Sequence, residues 1–432
     1  MKPPFGFNFF GPVSGNLGLA EAARLTLGWL LAQRQPICLR DVRLGGEGWW
    51  GQIHTYDNLV TRRFSGLPFG VNLFHLNPPL FDSRLSLGWF FLPIERRMNL
   101  VVPFWELPSL PPLWRDVLGA MDLVLAPSRF VQSIVESNVP AARTLHFPIS
   151  VPVVAPAKPD RARFGLPDRG FVFLCTLDVG SDLQRKNPWA AIEAFQTAFV
   201  GGEPVCLVVK LNNSNLCPRA WSQLDRLRQI ANNDRRVVLV DRQLARADLH
   251  SLFASCDAFV SLHRAEGLGL VLMEMMSLGK PVIATAWSGN MDFTSPDNAC
   301  LVDYDMVPAQ ATNPEYQEEV ARTAPLWANP RMATAVTWMR SLYAEPALRA
   351  RIGQQAAQDM HRRADADGSG ILQDIQHLLA SPEVQASHHL RARWLARRRI
   401  AGLARRLVHS PQSLSRRLRN MVLASRVGAP AS

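Results

Sequence analysis

At 432 residues, with 47% hydrophobic and 19% charged residues, the chain is too long for one ordinary core and too apolar to be disordered. No run approaches the roughly 18–20 apolar residues that a membrane span needs; the most apolar piece, Leu85 to Pro93, is far shorter. The net charge of +11 comes from one place: from Arg391 on there are 11 arginines, no lysine and no acid, and the rest holds 36 basic against 36 acidic residues. A formally neutral body argues against a nucleic-acid-binding surface, so the excess reads as a local electrostatic device. The opening MKPPFGFNFFGP lacks a signal-peptide pattern. Six scattered cysteines without a C-x-x-C read as reduced, buried thiols of a cytoplasmic protein.

Phe5 to Phe10 reads as a first strand, Gly11 to Gly18 as a glycine loop, and Leu19 to Gln33 as a helix. Strand, glycine loop and helix make either a tight turn or a phosphate-type loop, with Gly15 and Gly18 as its partial GxxG; the Lys-Ser/Thr of a P-loop is missing. Val71 to Asn77 is a strand ending in His75-Leu76-Asn77, and Leu100 to Trp105 is another that delivers Trp105 and Glu106 at its carboxyl end. Ligands of open α/β sheets sit at such ends. His75 is then a core histidine or a substrate contact, and Glu106 needs a partner or solvent. Met121 to Pro127 is a strand, Ser128 caps the next helix, and His146-Phe147-Pro148 closes the first half.

The Pro-, Ala- and Val-rich stretch 151–168 reads as a linker. Phe171 to Leu177 opens a second domain. Arg185 and Lys186 follow it just ahead of Asn187-Pro188, either as a solvated pair or as ligands of a diphosphate. Strands at 205–211, 237–240 and 258–262 alternate with helices, which implies a parallel sheet covered on both faces. Trp327 to His361 reads as two helices broken near Pro346.

The most informative stretch runs from His263 to Asp292. Glu266 and Glu274 stand eight apart around Gly267-Leu268-Gly269-Leu270, with a helix between and a strand, Val282 to Thr285, after. Gly267 and Gly269 allow close backbone approach, and the helix start offers free amides to an anion. Each carboxylate can accept two hydrogen bonds from vicinal hydroxyls. Paired acids beside anion-binding amides suit a molecule with sugar and phosphate parts.

EGLGLVLMEMMSLGKPVIAT resembles the donor-site signature of retaining glycosyltransferases of the GT-B fold, the family 4 group. The turn WSGNMDF, the start GNLGLAEAAR, the segment FWELPSLPPLW and the run RKNP with its later Ala-Phe are similar to further motifs of that group, although better-known members set the arginine of Arg185-Lys186 further upstream. The resemblance implies an α/β GT-B chain: two Rossmann-like domains with parallel sheets facing across a cleft. Residues 1–155 would form the acceptor side, 156–330 the nucleotide-sugar side, 331–385 helices crossing back, and 386–432 an Arg-rich tail.

It further implies transfer, with retention, of a sugar from a GDP- or UDP-sugar to a glycan or lipid-linked glycan, as in surface polysaccharide synthesis. Glu266, Lys186 and Arg185 would be catalytic. Glu274, Gly267, Leu268, Gly269, Leu270, Gly15 and Gly18 would bind the donor. His75, Trp105, Glu106 and His146 would face the acceptor. No metal or cofactor is expected, since no Asp-x-Asp stands where a metal motif would. A 2-epimerase of the same architecture and an inactive nucleotide-sugar-binding subunit are the alternatives. In the tail, Arg391, Arg398 and Arg405 repeat at seven opposite Ile400, Leu403 and Leu407. That pattern fits a basic helix on an anionic membrane surface, a solvated tail, or a site for RNA or an acidic partner; the body itself is expected to bind no nucleic acid.

Overall fold

The computed structural model describes residues 3–42, 53–61, 67–78, 97–366 apart from 154 and 156, and 368–393 apart from 387, 390 and 392. The apolar piece Leu85 to Pro93 and the tail beyond residue 393 lie outside the described residues.

The first lobe is a six-stranded parallel sheet in the order β2-β1-β3-β4-β5-β6. Its strands are β1 (Phe7–Gly11), β2 (Ile37–Asp41), β3 (Val71–Phe74), β4 (Met98–Val101), β5 (Leu123–Ala126) and β6 (Thr144–His146). Helices α1 (Gly18–Ala32), α2 (Pro112–Gly119) and α3 (Arg129–Asn138) connect them. Ser128 caps α3 as expected, its hydroxyl accepting from the Val131 amide at 3.2 Å.

The second sheet has the order β12-β11-β10-β7-β8-β9, also all parallel. Its strands are β7 (Phe171–Asp178), β8 (Val205–Asn212), β9 (Val237–Asp241), β10 (Ala258–Ser261), β11 (Val282–Thr285) and β12 (Cys300–Val302). Helices α4 (Leu183–Lys186), α5 (Pro188–Ala198), α6 (Trp221–Asn233), α7 (Arg246–Ser255) and α8 (Leu270–Ser277) accompany it. The strands are near-continuous apolar runs because both faces are covered. The order reverses between β7 and β10, the topological switch point at which such sheets hold ligands.

Between the second sheet and the C-terminal helices lies an insert that the sequence reading did not anticipate. A hairpin of β13 (Tyr304–Pro308) and β14 (Leu326–Pro330) carries α9 (Pro314–Thr323) at its tip. Trp327, expected to begin a helix, is therefore a strand residue. Its ring is buried with Trp105 and Trp114 of the first lobe, and that burial outweighs the helical pattern around it. The helices that follow are α10 (Met332–Ala344), α11 (Pro346–Asp365) and α12 (Ser369–Ala380), broken at Pro346 as expected.

α11 and α12 lead back onto the first lobe. The Ser150 hydroxyl donates to the Arg363 carbonyl at 3.2 Å, and Leu372, Ile375 and Leu379 are buried in one core with Phe9 and Leu27. Beyond them, His388 Nδ1 lies 3.1 Å and Arg391 Nη1 3.6 Å from the buried Asp122 carboxylate. Arg391, placed by the sequence reading on an exposed basic stripe, is thus turned in toward the body. The six cysteines are buried and unpaired, and no helix among the described residues is long and apolar enough to cross a membrane.

Candidate functional site

The two loops at the switch point are locked together. After β7, the Asp182 carboxylate caps α4, accepting from the Gln184 and Arg185 amides at 2.9 and 3.1 Å. Asn187 takes a left-handed backbone, φ 51°, and its side-chain amide donates to the Leu262 carbonyl at 2.9 Å. From the β10 loop, the Arg264 amide donates to the Arg185 carbonyl at 2.8 Å. This framework brings Arg185 and Lys186 against Glu266, 80 residues later: Lys186 Nζ is 2.5 Å from Glu266 Oε1, and Arg185 Nη1 is 3.4 Å from Oε2.

The glycine turn is fixed from below and from across the cleft. The Glu266 amide donates to Ser288 Oγ at 2.8 Å, and the Gly289 amide to the Glu266 carbonyl at 2.9 Å. A β-carbon on Gly289 would come within 2.4 Å of the Gly267 carbonyl oxygen, so the two turns nest only with glycine there. Gly269, at φ 101°, makes the left-handed step into α8. Ser128 of the first lobe donates to the Gly267 carbonyl at 2.7 Å.

Both lobes enclose a cavity of about 980 Å³ over these loops. Lys186, Arg185, Glu266, Glu274 and Gly267 to Leu270 all line it, and the first lobe adds Gly18 and Glu106. The two ends differ electrically. Burial alone would raise the Glu266 carboxyl, but Lys186 and Arg185 hold it down to about 2. Glu274 is pushed up to about 7 by burial, with the Glu21 charge adding to the effect and Arg246 opposing it. Glu21 of α1 and Arg246 of α7 pair across the cleft at 2.7 Å.

Several expected residues lie elsewhere. His75 is fully buried between the rings of Phe9 and Phe104, off the cavity wall, with no partner for either ring nitrogen. Burial lowers its pKa to about 3, so it is a neutral core residue. Trp105 is buried against Trp114 and Tyr316, and its indole donates to the Ser109 carbonyl at 2.8 Å. His146 sits 2.9 Å from Asp292, where it joins the lobes away from the cavity. Gly15 turns its amide into its own loop, onto the Pro12 carbonyl at 3.0 Å, and its carbonyl accepts from Arg24. His75 and Trp105 turn into the layer beneath the cavity, whereas His146 turns toward Asp292 of the second lobe. Glu106, by contrast, reaches the cavity and meets Arg185 at 3.7 Å.

Sequence reading missed two contributors. Tyr316 of the insert lines the cavity, and its hydroxyl donates to Glu106 Oε2. Lys210, on β8, is a buried lysine in the cavity wall, lowered to about 8 by burial. A lysine inside an otherwise apolar strand was a signal available for the second; none pointed to the first. Among the described residues no group of His, Cys, Asp and Glu could hold a metal ion.

Residues 214–313 match the model of one family, Glycosyl transferases group 1. No curated protein matches the chain by sequence. Among solved structures, Anabaena Alr3699/HepE in complex with UDP and glucose is similar at a TM-score of 0.61 and 15% identity, over 86% of this chain and 100% of that one. Sucrose-phosphate synthase from Thermosynechococcus elongatus gives 0.60 and 15%, over 87% and 99%. S. aureus TarM in complex with Fondaparinux, alpha-GlcNAc-glycerol and UDP gives 0.51 and 12%, over 72% of this chain and 55% of that one. At these identities the likeness is one of fold, and it bears out the expected two-sheet GT-B architecture.

Proposed function

We propose that the chain, whose residues 214–313 match the model of the group 1 glycosyl transferases and which has the GT-B fold, moves a sugar, with retention, from a nucleotide diphosphate sugar to a glycan or lipid-linked glycan. The observation that carries this reading is the shared cavity of Glu266, Lys186 and Glu274 with the glycine turn between them. A nucleoside with its ribose on Glu274 would extend its diphosphate toward Lys186 and the start of α8. The sugar would then lie beside Glu266 and Glu106.

Bond breaking at the anomeric carbon loads charge onto the diphosphate. Lys186, with a side chain 23% exposed, is the cation able to meet it; Arg185, 5% exposed, adds positive potential from behind. Glu266 is tied to Lys186, and Glu106 to Tyr316 and Arg185, so neither carboxylate stands free as a nucleophile. This favours attack by the acceptor oxygen from the leaving-group face. The bond to that oxygen forms as the bond to phosphate breaks, and a phosphate oxygen takes the proton. The paired cations do the work a metal would otherwise do, so we expect turnover without one. Closure of the lobes keeps water from the donor.

UDP occurs with two of the similar structures, so UDP-sugars head the donor panel, with GDP- and ADP-sugars beside them. Nucleotide diphosphate release is measured with and without glycan lipids. Release that depends on the acceptor supports transfer. A 2-epimer formed without an acceptor would make the protein an epimerase, and donor binding without turnover a binding subunit. A role in surface polysaccharide synthesis at the inner membrane face, with the Arg-rich tail on anionic lipid, is part of the same proposal. Removing residues 394–432, which leaves His388 and Arg391 on Asp122, should lower liposome binding and leave turnover of soluble acceptors intact.

A further inference from the structure

Arg185 is, with Lys210, the most enclosed lysine or arginine in the cavity wall, at 4% exposure of the whole residue. Its Nη1 donates to the Ala265 carbonyl at 2.7 Å and stands 3.4 Å from Glu266. Its Nη2 is 3.7 Å from Glu106, and the guanidinium lies 5.9 Å from the Tyr316 ring centre. The Tyr316 hydroxyl donates to the other oxygen of Glu106. Three separate pieces of chain meet here: the first lobe with Glu106, the β7 loop with Arg185, and the insert with Tyr316.

A buried guanidinium left with one carboxylate draws on it fully, because an unpaired charge away from water is costly. With Glu106 in place, Arg185 divides its attraction between two acids, and Glu266 keeps one oxygen for Lys186. Without Glu106, Arg185 and Lys186 would compete for Glu266. The Tyr316 hydroxyl fixes which oxygen of Glu106 faces the arginine. Tyr316 is itself held, since its ring stacks on Trp105 at 5.0 Å, and its neighbour Glu315 accepts from the Trp114 indole at 2.9 Å.

We propose that Tyr316 and Glu106 are positioning residues: they hold Arg185, and through it set the placement of Glu266 and Lys186 at the diphosphate end of the cavity. The proposal rests on the functional reading above for its effect on turnover, and on geometry alone for its effect on Arg185. The insert Tyr304–Pro330 thereby becomes part of the active centre although it reaches the cavity from outside both sheets.

The test uses the full chain labelled with ¹⁵N-arginine, in wild type, Tyr316→Phe and Glu106→Gln. The buried Arg185 Nε–H signal is identified by its loss in Arg185→Lys. Both variants should speed its hydrogen exchange by about tenfold or more, since each removes a contact to a charged group. Donor turnover should show kcat lowered about tenfold in Tyr316→Phe with KM within about threefold. Tyr316→Phe keeps the ring on Trp105, so it remains informative where Glu106→Gln weakens folding. Exchange at Arg185 and kcat both unchanged in Tyr316→Phe would overturn the proposal. Faster exchange in a protein that turns over no donor would leave the positioning role standing and remove the glycosyltransferase reading.

Discussion

Glu266 and Glu274 are the same residue type, eight positions apart and on one cavity, yet their environments drive them in opposite directions. Glu266 meets two cations and stays charged; Glu274 is raised to about 7 by burial and the charge of Glu21, with Arg246 opposing. The difference teaches that the Glu266 end of the cavity is charge-paired as it stands, whereas the Glu274 end holds a carboxyl that a ligand would have to ionise. Hydroxyls that donate to Glu274 favour its ionised form, so nucleotide binding there should release a proton.

The strongest way to break this contrast is Lys186→Met, which strips Glu266 of its closest partner. We expect donor turnover to fall by about 10²–10³, as when one preorganised donor to a developing anion is lost, measured as acceptor-dependent nucleotide release. Glu274→Gln probes the other end. In wild type, UDP affinity by calorimetry should rise with pH up to about 7, by at most about tenfold per pH unit, and level off above. The glutamine variant should bind more weakly and without that slope. The sign for folding is the reverse: protonated Glu274 stabilises the empty protein below pH 4.5, and that contribution is lost as pH rises through about 7. The smallest effect belongs to Glu21→Gln. It removes the neighbouring charge and frees Arg246, so the midpoint of the UDP-binding profile should move to lower pH while affinity at pH 8 changes little.

The parts of this molecule that were legible in the sequence were local in the chain. Strand, glycine turn and helix from Ala258 to Ser277, and the Asn187-Pro188 start of α5, follow from residue types a few positions apart. That Lys186 and Glu266 serve one site was expected only from the family resemblance of their two stretches. What was not legible depends on distant contacts or on side-chain direction. Tyr316 reaches Glu106 across 210 residues, and nothing in PEYQEEV announces such a partner. His75 directly follows β3 as expected, whereas Trp105 lies in the loop after β4, which ends at Val101; burial decides which way they face, and a short strand offers no pattern long enough to settle that.

One contact deserves a mechanical reading. Where α11 crosses the end of α8, a β-carbon on Gly353 would lie 2.1 Å from the Gly279 carbonyl oxygen, and Ala356 and Met360 share a core with Met276. The turn that ends the Glu274 helix and the helix that returns to the first lobe therefore touch backbone to backbone at these two glycines, with Met276, Ala356 and Met360 packed beside the contact. A ligand that moved α8 would load α11 directly through that contact.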